Sequence, residues 1–185
     1  MSLGIEDGRI QDSAMTASTV HSSAHAAHLG RLNQVARSGK VGAWCAKTSN
    51  NKEWLQIDLG NPTTVTKVAT QGRQDSNHWP TSYSISYSLT GSYWVQYTER
   101  GKIKVITLYS IHWPQKKLGH LKHLWSRKIE IINVKLLATE NILVFRVEYK
   151  YKKTFRLSQG TGDLSVESEW CNKSLFRISS SGNGT

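Results

Sequence analysis

Cysteine is scarce in this chain of 185 residues, which contains only Cys45 and Cys171. Two cysteines are too few for a disulfide scaffold, and their spacing matches no zinc-binding pattern. A single disulfide between them is conceivable on number alone. The two residues lie in segments of very different composition, however, so two free thiols are the simpler interpretation.

The sequence also shows no long apolar run, no signal-peptide pattern and no catalytic motif. No run of about 18 apolar residues exists, which argues against a membrane-spanning helix. The N-terminal sequence MSLGIEDGRIQDS has no apolar core, so no signal peptide is visible. The chain contains no G-x-S-x-G elbow, P-loop or dinucleotide fingerprint. We therefore expect a protein that is not an enzyme and that carries no cofactor.

Acidic residues are outnumbered, with 13 Asp and Glu against 24 Lys and Arg, and the formal net charge is +11. Most of the excess lies in residues 102–185, whereas residues 1–101 are nearly neutral. A basic surface attracts anionic partners such as acidic glycans or lipids. A lysine-rich tail without a partner is the simpler explanation. No aromatic–basic motif of a nucleic-acid-binding fold is present, so no nucleic-acid partner is expected.

The clearest positive signal is a strict alternation of side-chain types in two blocks. The first is WLQIDLG at residues 54–60, and the second is TSYSISYS at residues 81–88. This period of two is typical of a β-strand with one buried face. Further strands are predicted at residues 65–70 and 93–98, and Thr90-Gly91-Ser92 has the composition of a hairpin turn. Short strands separated by turns favour an all-β sandwich or barrel.

Weaker signals occupy the rest of the chain. Asn61-Pro62 predicts a turn, because the residue before a proline avoids the helical conformation. Residues 104–108, 127–137 and 142–151 have the composition of further strands. Residues 152–185, rich in Ser, Gly and Asn towards the end, are predicted to form an irregular or disordered tail.

Taken in order, short motifs over residues 3–101 resemble the discoidin domain, also called the coagulation factor 5/8 type C domain. The matching motifs are LGIEDGRI (3–10), TAS (16–18), RLN (31–33), GAW (42–44), WLQIDLG (54–60), VTKVATQGR (65–73), WPTSYSISYS (79–88) and GSYW (91–94). The resemblance is specific because many independent motifs occur in one order. It implies a galactose-binding-domain-like jelly roll, an all-β sandwich or barrel of about eight antiparallel strands.

Residues 102–151 resemble the second half of the same domain more weakly, so the predicted domain covers residues 3–151. KVI (104–106), SRKIEI (126–131) and FRVEYKY (145–151) are similar to the later strands of the family. The family's usual terminal disulfide has no counterpart, because no cysteine precedes Leu3 and none lies near Lys152. One alternative is therefore a truncated or mis-spliced fragment whose second half does not complete the sandwich.

The resemblance also implies that ligands bind to loops at one end of the sandwich. Three loops correspond in this chain: the first loop (17–29), the second loop (38–42) and the third loop (73–79). In the second loop, Lys40 could pair with an anionic sugar or a lipid headgroup, although an ordinary surface lysine is the simpler interpretation.

The third loop carries most of the predicted ligand-binding residues, which combine polar groups with one aromatic ring: Arg73, Asp75, Asn77, His78 and Trp79. This combination suits a sugar, because the ring stacks on the apolar face of the sugar while polar groups bind its hydroxyls. The alternative is that Trp79 caps the core and its neighbours only solvate a turn.

The first loop contains His21, His25 and His28, spaced four and three residues apart. On a helix they would share a face and could bind a metal ion, but no accompanying carboxylate motif supports this. Solvated histidines are the simpler interpretation, and a pH-sensitive contact through these histidines is a second one. Of the three, His25 is predicted to contact the ligand. A structural calcium ion held by loop carbonyls would leave no side-chain signature. Any metal ligands therefore stay unassigned.

Together these features predict an extracellular or cell-surface adhesion module that binds a glycan or a cell-surface or matrix protein. The alternative is a module that binds acidic phospholipid membranes, which would need large apolar residues at the loop tips. The first loop offers only Leu29 of this kind. Trp44 and Trp54 are interpreted as core residues, because aromatic side chains of this size dominate the interiors of sandwiches.

Overall fold

The computed structural model describes residues 2–73, 80–107, 129–133, 142–150 and 175–179. The strands are β1 (Met15–Ala17), β2 (Trp54–Thr63), β3 (Lys67–Gln71), β4 (Ser82–Ser88), β5 (Val95–Gln96), β6 (Thr98–Glu99), β7 (Lys102–Ile103), β8 (Val105–Thr107), β9 (Ile129–Asn133), β10 (Ile142–Lys150) and β11 (Leu175–Ser179). Three 3-10 helices cover Asp12–Ala14, Ser23–His25 and Ala27–Gly30. The longest helix in this part of the chain has four residues, far short of a membrane span.

The strands form two main antiparallel sheets. The larger sheet has the order β1-β2-β10-β4-β5, with β8 also paired to β4, and the smaller sheet has the order β11-β3-β9. Strands β6 and β7 form a separate hairpin. The predictions of an all-β fold and of strands at WLQIDLG and TSYSISYS are confirmed.

The inner face of the larger sheet forms the main hydrophobic core. The registers align Ile57 with Phe145 and Leu55 with Val147, and β4 continues both rows with Tyr87 and Ile85. All of these side chains are fully buried apart from the partly buried Tyr87. Alternation along each strand places these residues on one side, so burial of their apolar area stabilises the sheet as a unit.

The outer face of β4 differs from the prediction of a half-buried strand. Ser84, Ser86 and Ser88 are buried as well as the alternating apolar residues. The reason is that β4 has neighbours on both edges and side chains lying over it. Ser86 Oγ donates a hydrogen bond to Glu148 of β10, and Gln96 of β5 donates to the same carboxylate at 2.9 Å.

The predicted turn at Asn61-Pro62 lies instead within β2, which continues to Thr63. The pairing with β10 shifts register between Ile142 and Val144, and Gly60 has φ of +75°. As in a β-bulge, extra residues on β2 here lie opposite fewer residues on β10. The proline is therefore accommodated where ladder bonding is already interrupted.

The weakly matching second half supplies central parts of the fold. β10 lies between β2 and β4 in the larger sheet, and β9 pairs with β3 in the smaller one. The alternative of an unfinished sandwich is therefore not favoured. Residues 175–179 fall in the segment predicted to be irregular, yet they form β11 against β3.

The cysteine interpretation needs a correction. Cys45 is disulfide-bonded, so the interpretation of free thiols is wrong for this residue. Cys171, the chain's other cysteine, lies outside the described residues. Cys45 is also fully buried, next to Trp44 in the core.

Candidate functional site

Strand registers place the roots of the first and third loops at the same end of the larger sheet. Ala17, at the end of β1, pairs with Leu55 near the start of β2. On the other side, Lys150 at the end of β10 pairs with Ser82 at the start of β4. Since β10 also pairs antiparallel with β2, the chain leaves β1 and enters β4 at one common end of the sheet.

Backbone hydrogen bonds join the first loop to the second loop and the segment that follows it. Ala24 O accepts from Val41 N at 3.1 Å, and Cys45 O accepts from His21 N at 2.9 Å. Cys45 N donates in turn to His25 O at 3.3 Å. The two loops therefore lie side by side, as the prediction of one ligand-binding end requires.

Gly42 fixes the path of the second loop. Its φ is +55°, and a Cβ atom there would lie 2.5 Å from the carbonyl carbon of Val35. Only glycine fits this combination of a left-handed backbone and a close approach. The exposed Lys40 lies two residues earlier, in a turn whose backbone is closed by hydrogen bonds between Arg37 and Lys40 of 2.9 and 3.0 Å.

Glu53, directly before β2, is the hub that holds the root of the first loop. Its side chain is buried, with 3% of the residue exposed. Oε2 accepts hydrogen bonds from the hydroxyls of Ser18 at 2.5 Å and Thr19 at 2.7 Å. Oε1 accepts from Thr48 Oγ1 at 2.7 Å and from Asn50 Nδ2 at 3.1 Å. One carboxylate thus connects the start of the first loop with the turn that precedes β2.

The electrostatic balance at this carboxylate favours its charged form. Burial raises the pKa of Glu53, but the hydrogen bonds from Ser18, Thr48, Thr19 and Asn50 together outweigh burial, so the pKa lies below its ordinary value of 4.5. A carboxylate that accepts several hydrogen bonds is stabilised in this way. Glu53 was not predicted as a site residue, and its only sequence signal is a carboxylate flanked by hydroxyl and amide residues.

The histidines of the first loop do not converge on one point. His21 and His25 are in edge-to-face contact with ring centroids 5.0 Å apart, and His25 Nδ1 is 2.8 Å from Ser22 Oγ. His28 instead faces Asp12, with 3.9 Å between Nε2 and Oδ2. Within the described ranges, no cluster of three or more His, Cys, Asp or Glu residues could hold a metal ion.

The third loop is described only at its root. Gln71, the last residue of β3, accepts a hydrogen bond from Asn33 N at 3.0 Å, and Arg73 follows two residues later, partly buried. Four predicted ligand-binding residues lie outside the described residues: Asp75, Asn77, His78 and Trp79. Their assignment stays a prediction.

Large apolar residues are sparse on the first loop. Leu29, the large apolar residue considered for membrane binding, is 8% exposed and packs inside the fold. Val20 is instead the exposed large apolar residue of this loop, at 40%. Its neighbours His21, Ser22 and Ser23 are exposed and polar. The first loop therefore offers hydrogen-bonding groups more than apolar surface.

A second polar–aromatic cluster lies on the outer face of the larger sheet. The guanidinium carbon of Arg146 is 4.2 Å from the ring centroid of Trp54 and 3.7 Å from that of Trp94. Gln56 Oε1 accepts from Arg146 Nη2 at 2.7 Å and more weakly from Nε at 3.3 Å. Trp54 is thus partly buried under an arginine, which corrects its interpretation as a core residue. Trp44 is fully buried, as predicted.

The comparison with known families identifies the class of protein. Residues 14–142 match the F5/8 type C domain. Because this match covers well over half of the chain, the chain belongs to the F5/8 type C, or discoidin, family, whose members are binding modules. The prediction of this family from the order of short motifs is confirmed.

Individual relatives match the chain in sequence or in fold. Mouse lactadherin is 39% identical over 111 residues, which make up 56% of this chain and 23% of lactadherin. The chain thus spans about a quarter of that relative's length. Discoidin II of Dictyostelium discoideum matches with a TM-score of 0.61 at 15% identity, covering 89% of this chain and 53% of discoidin II.

A carbohydrate-binding structure has the same fold. Chitosan-binding module 2 from a chitosanase/glucanase of Paenibacillus sp. IK-5, solved in complex with chitotriose, matches with a TM-score of 0.53 at 16% identity. The match covers 89% of this chain and 94% of that module. At such low identity this likeness, like that to discoidin II, shows the shared fold alone.

Proposed function

We propose that this chain is a non-catalytic adhesion module that binds a glycan through the loops at one end of its sandwich. The glycan would be presented outside the cell or on a cell-surface or matrix protein. The observation that carries this proposal is the shared end of the first and third loops, with the first loop held in place at its root by Glu53.

The polarity of the first loop supports a glycan over a membrane. Sugar recognition depends on hydrogen-bonding groups held rigidly beside an aromatic ring. The first loop presents exposed polar side chains, and its larger apolar residue, Leu29, is buried. In our proposal the aromatic ring is Trp79, and Arg73, Asp75, Asn77 and His78 bind sugar hydroxyls. Lys40 and His25 line the adjacent side of the site.

An array of immobilised glycans, including chitooligosaccharides, tests the proposal with the full chain. We expect binding that falls about tenfold in Trp79→Ala and Arg73→Ala, since aromatic stacking contributes about 0.5–1.5 kcal/mol and a charged hydrogen bond about 1.5–3 kcal/mol. Tyr93→Ala and Lys67→Ala are matched controls. Tyr93 is 76% exposed beyond the far end of β4, and Lys67 is exposed at the far end of β3. Absence of binding, or equal losses in all four variants, would refute the proposal.

The second candidate is an acidic phospholipid membrane. It is favoured by Val20, 40% exposed on the first loop, and by the exposed Lys47, whose backbone N–H donates to Thr19 Oγ1 beside it. Sedimentation with phosphatidylserine vesicles distinguishes the two functions. Binding that persists at physiological salt and weakens in Val20→Ser would favour the membrane. Binding that vanishes with salt would indicate charge attraction alone.

A further inference from the structure

We propose that Glu53 is a positioning residue that holds the first loop in its ligand-binding conformation. It does so by tying the first two residues after β1 to the turn that precedes β2. The inference rests on the proposed function in so far as the first loop contacts the ligand. Its structural part, that Glu53 orders this loop, can be tested without any ligand.

The bonding pattern requires a carboxylate at this position. Ser18 Oγ accepts a hydrogen bond from Trp54 N at 3.0 Å, and Thr19 Oγ1 accepts one from Lys47 N at 2.9 Å. Each hydroxyl therefore already serves as an acceptor for a backbone amide, and its own proton is directed to Glu53. A carboxylate has two oxygens and about four acceptor positions, and Glu53 uses both oxygens twice.

A glutamine at this position could not reproduce the arrangement. The amide oxygen of glutamine could replace one carboxylate oxygen. The amide NH2 group would replace the other oxygen and would face hydrogen-bond donors instead of accepting from them. Either the Ser18 and Thr19 hydroxyls or the Thr48 and Asn50 side chains would then lose their acceptor. The Glu53→Gln variant therefore disconnects the start of the first loop from the turn that precedes β2, while the size of the side chain is nearly unchanged.

The backbone around Glu53 explains why the effect is expected to be local. Glu53 O accepts a hydrogen bond from Tyr149 N at 2.9 Å, which anchors its main chain to β10. Thr19 O accepts from Nε1 of the buried Trp44 at 2.9 Å. These contacts do not involve the carboxylate, so they persist in the variant. The rest of the first loop makes backbone hydrogen bonds with residues 41 and 45, and its buried residues Ala27 and Leu29 pack inside the fold.

The surroundings of the carboxylate also make the loop sensitive to acid. The groups that face it are neutral: three hydroxyls and one amide, from the first loop and the turn. The charged groups nearest in sequence, Lys47 and Lys52, are exposed. Tyr149 of β10 donates its backbone N–H to the carbonyl oxygen of Glu53. Protonation adds a donor where four donors converge, so it should loosen the loop as the glutamine does.

Hydrogen exchange of the full chain, read by mass spectrometry, tests the proposal. In Glu53→Gln at neutral pH we expect exchange in residues 19–30 to rise about tenfold, while exchange in β4 is unchanged. Glu148→Gln is the matched control, since the partly buried Glu148 carboxylate also accepts hydrogen bonds from neutral side chains, and both of these lie outside the first loop. We expect it to leave exchange in residues 19–30 unchanged.

The pH profile separates positioning from general stability. After correction for intrinsic exchange rates, exchange of residues 19–30 in the unmodified protein should rise as the pH falls below about 4.5, and Glu53→Gln should lack this rise.

If Glu53→Gln does not fold, Thr19→Val provides the same readout, because it removes one of the two loop hydroxyls. Unchanged loop exchange, or a rise of equal size in β4, would overturn the proposal. Loop loosening without any glycan binding would overturn only the proposed function.

Discussion

Replacement of Arg146 by lysine tests the cluster on the outer face of the larger sheet. The guanidinium lies between two tryptophan rings at 3.7 and 4.2 Å and donates twice to Gln56. A lysine keeps the charge but not the planar group that stacks on both rings. Two partly desolvated cation–π contacts contribute about 0.5–1 kcal/mol each, and the lost hydrogen bonding adds about 1 kcal/mol. We therefore expect Arg146→Lys to lower the free energy of unfolding by about 2–3 kcal/mol.

Urea unfolding followed by tryptophan fluorescence measures this change. With an m-value of about 2 kcal/mol/M, a loss of about 2 kcal/mol shifts the unfolding midpoint down by about 1 M. The control is Arg37→Lys, because Arg37 is exposed in a surface turn and contacts neither ring. That variant should change the midpoint by less than about 0.3 M.

A double-mutant cycle with Trp94→Ala assigns the effect to stacking. If the guanidinium and the Trp94 ring interact as described, the two substitutions should be non-additive by about 0.5–1 kcal/mol. An unchanged midpoint in Arg146→Lys, or full additivity with Trp94→Ala, would refute the reasoning, because the contacts would then contribute nothing to stability.

Three further predictions concern the framework of the loops. The hydrogen bond from Arg31 holds the pKa of Asp12 below its ordinary value of 3.8. The ionised Asp12 therefore stabilises the fold above pH 3.8, and this stabilisation is lost as the pH falls through the lowered pKa. Chemical unfolding between pH 5 and 2 should show a weaker acid dependence in Asp12→Asn. Gly42→Ala should lower the melting temperature more than Gly39→Ala, because both residues have positive φ but only Gly42 approaches another backbone segment closely; equal shifts would contradict the described path of the second loop. Cys45→Ala should lower the free energy of unfolding by about 2–4 kcal/mol, and a reductant should lower the stability of the unmodified protein but not of the variant.

Residue patterns predicted those parts of the fold that depend on local order. The alternation in β2 and β4 indicated both the strands and their core-facing residues, because period-two burial follows from strand geometry alone. The order of short motifs then identified the family. Neither signal showed that the serine face of β4 is buried, because that burial depends on Glu148 and Gln96, which are distant in the chain.

Much of the candidate site escaped prediction for the same reason. Trp54 was interpreted as core because its size favours burial, but its position on the sheet places it under Arg146. No sequence motif marks Glu53 as a site residue, because its hydrogen-bond partners come from two segments that only the fold brings together. Leu29 was counted as the large apolar residue that the first loop offers for membrane binding, but it lies in the 3-10 helix Ala27–Gly30 and is buried.

The position of β10 between β2 and β4 determines the order in which this domain can assemble. Its neighbours in the sheet precede it by many residues, so the larger sheet cannot close until residues 142–150 have been synthesised. Before that point β2 and β4 each present an unpaired edge, which is the kind of surface that pairs with other chains. Long-range pairing of this kind also slows folding. A chain that ends before residue 142 would therefore lose more than one strand: it would leave two separate half-sheets that are prone to aggregation.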